Sequence, residues 1–256
     1  MCLIAFAYRV HPRYPLILVA NRDEFYERPT RRAHFWPEHP DLLAGQDLVQ
    51  GGTWLGVTRQ GRLAAVTNVR DGRRPADPRH RSRGSLTRGF LQGAQPAAPF
   101  LEELTREPDA YGGFNLLLGD GDGLYFYSNR DGCPPQPLGP GVYGLSNATL
   151  NTPWPKVQTL KAGLEKALSR DVLAARDLLP LLQNRHSPED AQLPDTGVGL
   201  DLERTLAPCF IHGETYGTRA STVLTINADN EVEFLEQNYD ATGAGDRHCE
   251  RLTLTG

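Results

Sequence analysis

No run of apolar residues in this chain approaches the 18 or so that a membrane-spanning helix needs. At the N-terminus, MCLIAFAYRV holds an apolar stretch of only six residues with no basic head, too short for the core of a signal peptide. A reducing cytoplasm is therefore the expected compartment, with thiols free. Cysteine is scarce: Cys2, Cys133, Cys209 and Cys249 form no CxxC pair and no Cys/His spacing typical of zinc, so no structural metal is expected. Lysine is scarcer still, 3 against 24 arginines, yet neither sign of charge dominates. With 31 acidic and 27 basic residues the net charge is -4, which argues against nucleic acid or an acidic membrane surface as the main partner. Internal repeats and low-complexity tracts are absent.

What the chain does have is enough material for a core. It holds 256 residues, 39% apolar and 23% charged, consistent with one folded domain over residues 1–256. Strand patterns run from Cys2 to Arg9 and from Tyr14 to Ala20, with Asn21 to Glu24 leaving the second strand and a Pro/His/Arg loop following to Pro40. Residues 51–57 and 63–68 read as a hairpin closed at Arg59-Gln60-Gly61, and 114–119 with 124–127 as another across Asp120-Gly121-Asp122-Gly123. Residues 70–82 read as a loop, 85–91 and 99–105 as helices, then 154–168 and 172–182 as two amphipathic ones. The polar segment 186–204 is a loop or short helix. Strands resume at 217–227 and 231–236, with a last edge strand at 251–254. Hairpins at both ends with helices between predict an α+β fold, antiparallel sheets covered by helices rather than βαβ units.

Cys2 is the first candidate for chemistry. If Met1 is trimmed, Cys2 carries a thiol and an α-amine on one residue, with ordinary pKa values of about 8.5 and about 7.7–8.0, so the amine can act as base for its own sulfur. The plain alternative is a small apolar residue on a buried strand. Asn21-Arg22-Asp23-Glu24 stands at the end of the strand that pairs with the one beginning at Cys2. An Arg/Asp pair there can favour a thiolate and hold an ammonium, or be a surface ion pair. Alternation puts adjacent Arg22 and Asp23 on opposite faces, so the pairs that share a face are Asn21 with Asp23 and Arg22 with Glu24. Asn68 and Asn147 each follow a strand in a polar turn, where an amide stabilises an oxyanion or simply shapes the turn. Arg219 opens a β-forming segment and either reaches the site or faces solvent. Trp54, after paired glycines, walls an acyl pocket or anchors its hairpin. Nine arginines lie between Arg59 and Arg88, a basic patch that binds anionic groups or is a solvated loop. Cys133-Pro134 reads as a turn.

Taken together, Met1-Cys2, Ala20-Asn21-Arg22-Asp23-Glu24, Gly51-Gly52-Thr53-Trp54-Leu55-Gly56, Thr67-Asn68, Leu145-Ser146-Asn147 and Tyr216-Gly217-Thr218-Arg219 resemble the NRDE, or transport and Golgi organisation, family. That family in turn resembles N-terminal nucleophile (Ntn) hydrolases of the penicillin V acylase and bile salt hydrolase type. The resemblance implies an αββα sandwich of two antiparallel sheets between helical layers. It implies Cys2 as nucleophile, Arg22, Asp23, Asn147 and Arg219 as its catalytic company with Asn68 beside them, and Asn21, Glu24 and Trp54 toward substrate. The amidases separate their Arg and Asp, whereas here the two are adjacent.

The implied activity is cleavage of an amide or related acyl bond of a small molecule, without cofactor. The rival expectation is a non-catalytic carrier of a haem-like or hydrophobic ligand on the same fold. Fold does not choose between them.

Overall fold

The computed structural model describes residues 3–75 and 77–255. Along the chain run β1 (Leu3–Tyr8), β2 (Leu16–Phe25), β3 (Thr30–Trp36), β4 (His39–Asp47), β5 (Leu55–Thr58) and β6 (Leu63–Asn68). Then come α1 (Gly84–Gln92), α2 (Ala97–Leu104), β7 (Phe114–Asp120), β8 (Gly123–Ser128), β9 (Gln136–Pro137) and β10 (Gly141–Leu145). The rest comprises α3 (Pro155–Ala167), α4 (Ala175–Leu178), α5 (Leu200–Leu206), β11 (Tyr216–Ile226), β12 (Glu231–Asp240) and β13 (Gly243–Thr253). The fold is α+β, with two antiparallel sheets and their helices, as the sequence predicts.

The chain divides into two compact units. The first is formed by Met1–Glu27, Arg70–Arg74 and Pro140–Leu252. Its six-stranded sheet runs β10-β1-β2-β11-β12-β13. β1 and β2 pair antiparallel from Leu3 opposite Asn21 to Tyr8 opposite Leu16. Alternation sends Leu3, Ala5, Ala7, Ile17, Val19 and Val223 into one hydrophobic cluster with Val157, Leu160 and Leu164 of α3. Those α3 positions recur at three- and four-residue spacing, and Pro155 fits at the first helical position because its missing N–H has no partner to lose there. Ile4, Phe6, Leu18 and Leu224, on the other face, are equally buried.

The second unit comprises Arg28–Val69, Pro75–Gly139 and Thr253–Gly256. Its sheet is a meander in strict chain order, β3 to β9. Leu86, Phe90 and Leu91 of α1 and Ala97 and Leu101 of α2 pack on Ala64, Val66, Phe114, Leu116 and Leu118. The β7–β8 hairpin closes over Gly121-Asp122 as expected, although the positive φ falls on Gly123, and Asp120 Oδ1 accepts the Asp122 amide at 3.0 Å.

Several elements differ from the sequence reading. β2 continues through Asn21-Arg22-Asp23-Glu24 to Phe25 instead of ending at Ala20. The expected loop before Pro40 contains β3, whose register shifts twice against β4 and so hides its alternation. Residues 51–54 form an irregular bend rather than a strand, because Gly51 has φ +68° and a Cβ on Gly52 would lie 2.5 Å from the Gly84 carbonyl. The helix expected over 172–182 is reduced to α4 and a 3-10 turn at Leu179–Gln183, since Pro180 lacks the N–H that an α-helix interior needs. β13 runs eleven residues where only 251–254 reads as a strand.

Candidate functional site

Asn21, Arg22, Asp23 and Glu24 lie at the end of β2, and Arg219 of β11 lies beside them. Cys2 lies outside the described residues. Its neighbour Leu3 opens β1 opposite Asn21.

Asn21 is fully buried. Its Nδ2 donates to the carbonyls of Leu182 at 2.8 Å and Cys209 at 2.7 Å, and its Oδ1 accepts the Ser221 hydroxyl at 2.6 Å. Both sides of the amide are thus engaged by protein groups, which ties β2 to the 3-10 turn, to the segment at Cys209 and to β11. Asp23 shares that face and accepts the Thr218 hydroxyl at 2.7 Å, while Thr218 Oγ1 accepts the Ile211 amide. Arg22 points the other way and pairs with Glu24 at 3.7 Å, the same-face pairing that strand alternation predicts. Both Arg22 and Asp23 are 5% exposed. An ion-bearing strand end this deeply buried is unusual for charged residues and is the informative polar feature of the unit. A buried guanidinium of this kind stabilises an adjacent anion.

Arg219 is the extra residue of a β-bulge. Thr218 sits opposite Asp23 and Ala220 opposite Arg22, so Arg219 has no register partner of its own, and its Nη1 donates to the Phe25 carbonyl at 2.8 Å. Tyr26 reports the local field. Burial raises its phenol above the ordinary value, the Arg219 charge opposes that, and Asp23 and Asp240 reinforce it.

Asn147 follows β10 and is 4% exposed. Its Oδ1 accepts the Ser146 hydroxyl at 3.3 Å, and its carbonyl accepts the Arg70 amide at 2.8 Å. Arg70 in turn pairs with Glu203 of α5 at 2.7 Å, both side chains at least nine-tenths buried, and its guanidinium stacks over Trp154. Glu203 Oε1 also accepts the amide and hydroxyl of Thr196. Sequence reasoning missed this brace, reading 70–82 as a loop and 186–204 as a polar loop or short helix. It missed Thr218 and Ser221 as well, because the bulge at 219 puts on one face two hydroxyls whose odd spacing points to opposite faces.

Cys209 lies beside the site. Burial pushes its thiol up to about 11, with Lys156 opposing and Asp23 reinforcing, so it stays protonated near neutrality.

Asn68 and Trp54 belong to the second unit. Asn68 ends β6 opposite Phe114. Trp54 is 6% exposed, and its ring lies against Gly45, at the place a Cβ there would occupy. That contact packs the indole against β4. The nine arginines of the basic stretch are engaged: Arg59, Arg70, Arg73, Arg74, Arg79 and Arg81 make ion pairs, and Arg62, Arg83 and Arg88 donate to backbone carbonyls. Among the described residues no group of three or more His, Cys, Asp or Glu is placed to hold a metal ion, and no helix is long and apolar enough to cross a membrane.

Two antiparallel sheets with their helices are the architecture of the Ntn hydrolases, and the chain has that fold. It is similar to the solved Caenorhabditis elegans N-acylethanolamine-hydrolyzing acid amidase ortholog, with a TM-score of 0.50 at 12% identity over 87% of this chain and 92% of that one. The chain belongs to the Transport and Golgi organisation 2 family, whose model matches residues 1–241. It is 39% identical to the Bos taurus Transport and Golgi organization protein 2 homolog and 38% identical to the Mus musculus homolog, in each case over 93% of both chains.

Proposed function

We propose that the chain, taken as one domain, is an N-terminal-cysteine hydrolase that cleaves an amide or related acyl bond of a small molecule. The observation that carries this reading is the buried Asn21-Arg22-Asp23 run at the end of β2, paired with a β1 that begins one residue after Cys2, in an Ntn-hydrolase fold. Removal of Met1 frees the Cys2 amine. That amine takes the thiol proton, the thiolate attacks the acyl carbon, and the protonated amine delivers the proton to the leaving nitrogen. Water then attacks the thioester, releasing the acid and restoring the thiol.

Because Leu3 pairs with Asn21, the reading requires Arg22, the next residue of β2, to serve the residue that precedes Leu3. Arg22 favours the thiolate, and Asp23 helps to hold the ammonium. Asn147 stabilises the oxyanion. Arg219 sets the local charge, and Glu24 borders the substrate. The described thiols Cys133, Cys209 and Cys249 are free, which suits a reducing compartment such as the cytoplasm.

The test is a screen of acyl amides and esters with wild-type and Cys2→Ala protein, read by mass spectrometry for a covalent adduct and for loss of Met1. A thioester adduct on wild type that Cys2→Ala abolishes supports the enzyme. Retained Met1 in active protein sinks the self-base mechanism. Saturable haem binding that survives Cys2→Ala, without turnover of any acyl compound, selects the carrier instead.

A further inference from the structure

The first unit also holds a cavity of about 270 Å³, with Tyr26, just past the end of β2, on one side. Pockets for drug-sized ligands start at about 300 Å³, so its occupant is smaller than that class. The buried wall is aromatic. Phe210 and Tyr239, 4% and 7% exposed, meet edge to face with centroids 4.8 Å apart. The Tyr239 hydroxyl is anchored by Gln183 Nε2 at 3.3 Å.

Over Phe210 lies the Arg185 guanidinium, 4.9 Å from the ring centroid. A guanidinium held over a ring by its central carbon keeps a planar fork of N–H donors, which matches a carboxylate with two parallel hydrogen bonds. Among the described residues no carboxylate pairs with Arg185 and no acceptor takes a hydrogen bond from it. This separates it from the nine arginines of the basic stretch. Asp240, the acidic residue of the lining, is engaged at one oxygen: its Oδ1 accepts the Thr242 hydroxyl at 2.6 Å and amide at 2.8 Å, and these bonds with the Arg219 charge hold its carboxyl below the ordinary value. Tyr26 closes another side, its hydroxyl resting over Gly217.

We infer that this cavity binds a small aromatic carboxylate, its ring against the Phe210–Tyr239 wall and its carboxylate on the Arg185 guanidinium. The inference does not depend on Cys2 acting as a nucleophile.

Benzoate titrated into the full chain, followed by calorimetry and by ligand-observed NMR, tests it, with benzamide and acetate as the neutral and ring-less comparators. Benzoate should bind saturably, and each comparator should bind roughly tenfold or more weakly, as expected when a charge-assisted pair or a stacking surface is removed. Arg185→Gln, an exposed change that should leave the denaturation midpoint unmoved, should weaken benzoate by about tenfold or more. Arg185→Lys should recover part of that loss, since it restores the charge without the fork. Cys2→Ala should bind as wild type does. Equal binding of benzamide and benzoate, indifference to Arg185→Gln, loss in Cys2→Ala, or no saturable binding would each overturn the assignment.

Discussion

Asn21→Ala removes three hydrogen bonds at once from a fully buried position. It leaves the Leu182 and Cys209 carbonyls and the Ser221 hydroxyl without these partners in a site closed to water. A buried group stripped of its partner costs about 1–3 kcal/mol. The Ser221 hydroxyl can rotate toward another acceptor, so the two carbonyls dominate, and the expected loss is about 3–5 kcal/mol once the small cavity is included. Urea denaturation of wild type and variant, compared at constant m-value, measures it. Asn21→Asp sharpens the test. It keeps the acceptor for Ser221 but turns the donor to the two carbonyls into an oxygen, so the introduced carboxyl must stay protonated when folded and its folded pKa rises above the ordinary value of about 3.9. For a raised carboxyl the stability contribution is fully present below the unfolded pKa and is lost as pH rises through the folded one. The Asp variant should therefore approach wild type near pH 4 and fall away toward neutrality. A loss under about 1 kcal/mol in the Ala variant, or a pH-independent Asp variant, would refute the tie that Asn21 makes between β2 and its neighbours and return Asn21 to a role in binding substrate.

Glu203→Gln breaks the buried pair with Arg70, and removing one partner of such a pair costs about 3–5 kcal/mol; the same urea assay reads it, and the proposed acyl turnover should fall too because Arg70 braces the Asn147 backbone. Burial raises the Asp47 carboxyl, but the Arg28 guanidinium and the Val49 and Gln50 amides outweigh it and hold the group below its ordinary value. That stabilisation is present above the unfolded carboxylate pKa and is lost as pH falls through the folded one, so Arg28→Gln should cost about 1 kcal/mol at pH 7 and less in acid, measured by denaturation at both pH values. Iodoacetamide at pH 8 should modify the exposed Cys133 and Cys249 while Cys209, buried with its thiol pushed up to about 11, reacts only in denaturant; peptide mapping by mass spectrometry checks this.

Turn chemistry made the hairpins β5–β6 and β7–β8 legible, because Gly61 and Gly123 carry the positive φ their turns require and the flanking apolar runs are short. Elements whose buried positions break the period were not. β3 buries Ala33 and Trp36, three apart, because register shifts interrupt its pairing. α5 buries Glu203 and exposes Leu200 and Leu202, so its apolar residues mark the wrong face, and the charge that holds it inside has its partner more than a hundred residues away at Arg70. The candidate site divides along the same line. Strand alternation read the face-sharing pairs Arg22 with Glu24 and Asn21 with Asp23 from spacing alone, since that relation is local. The groups that fix those side chains, Ser221, Thr218, Leu182 and Cys209, lie on other elements, and the bulge at Arg219 shifts the register by which two of them arrive. What the strand end looks like therefore follows from its own four residues, while what it can do depends on a shell that only tertiary pairing assembles.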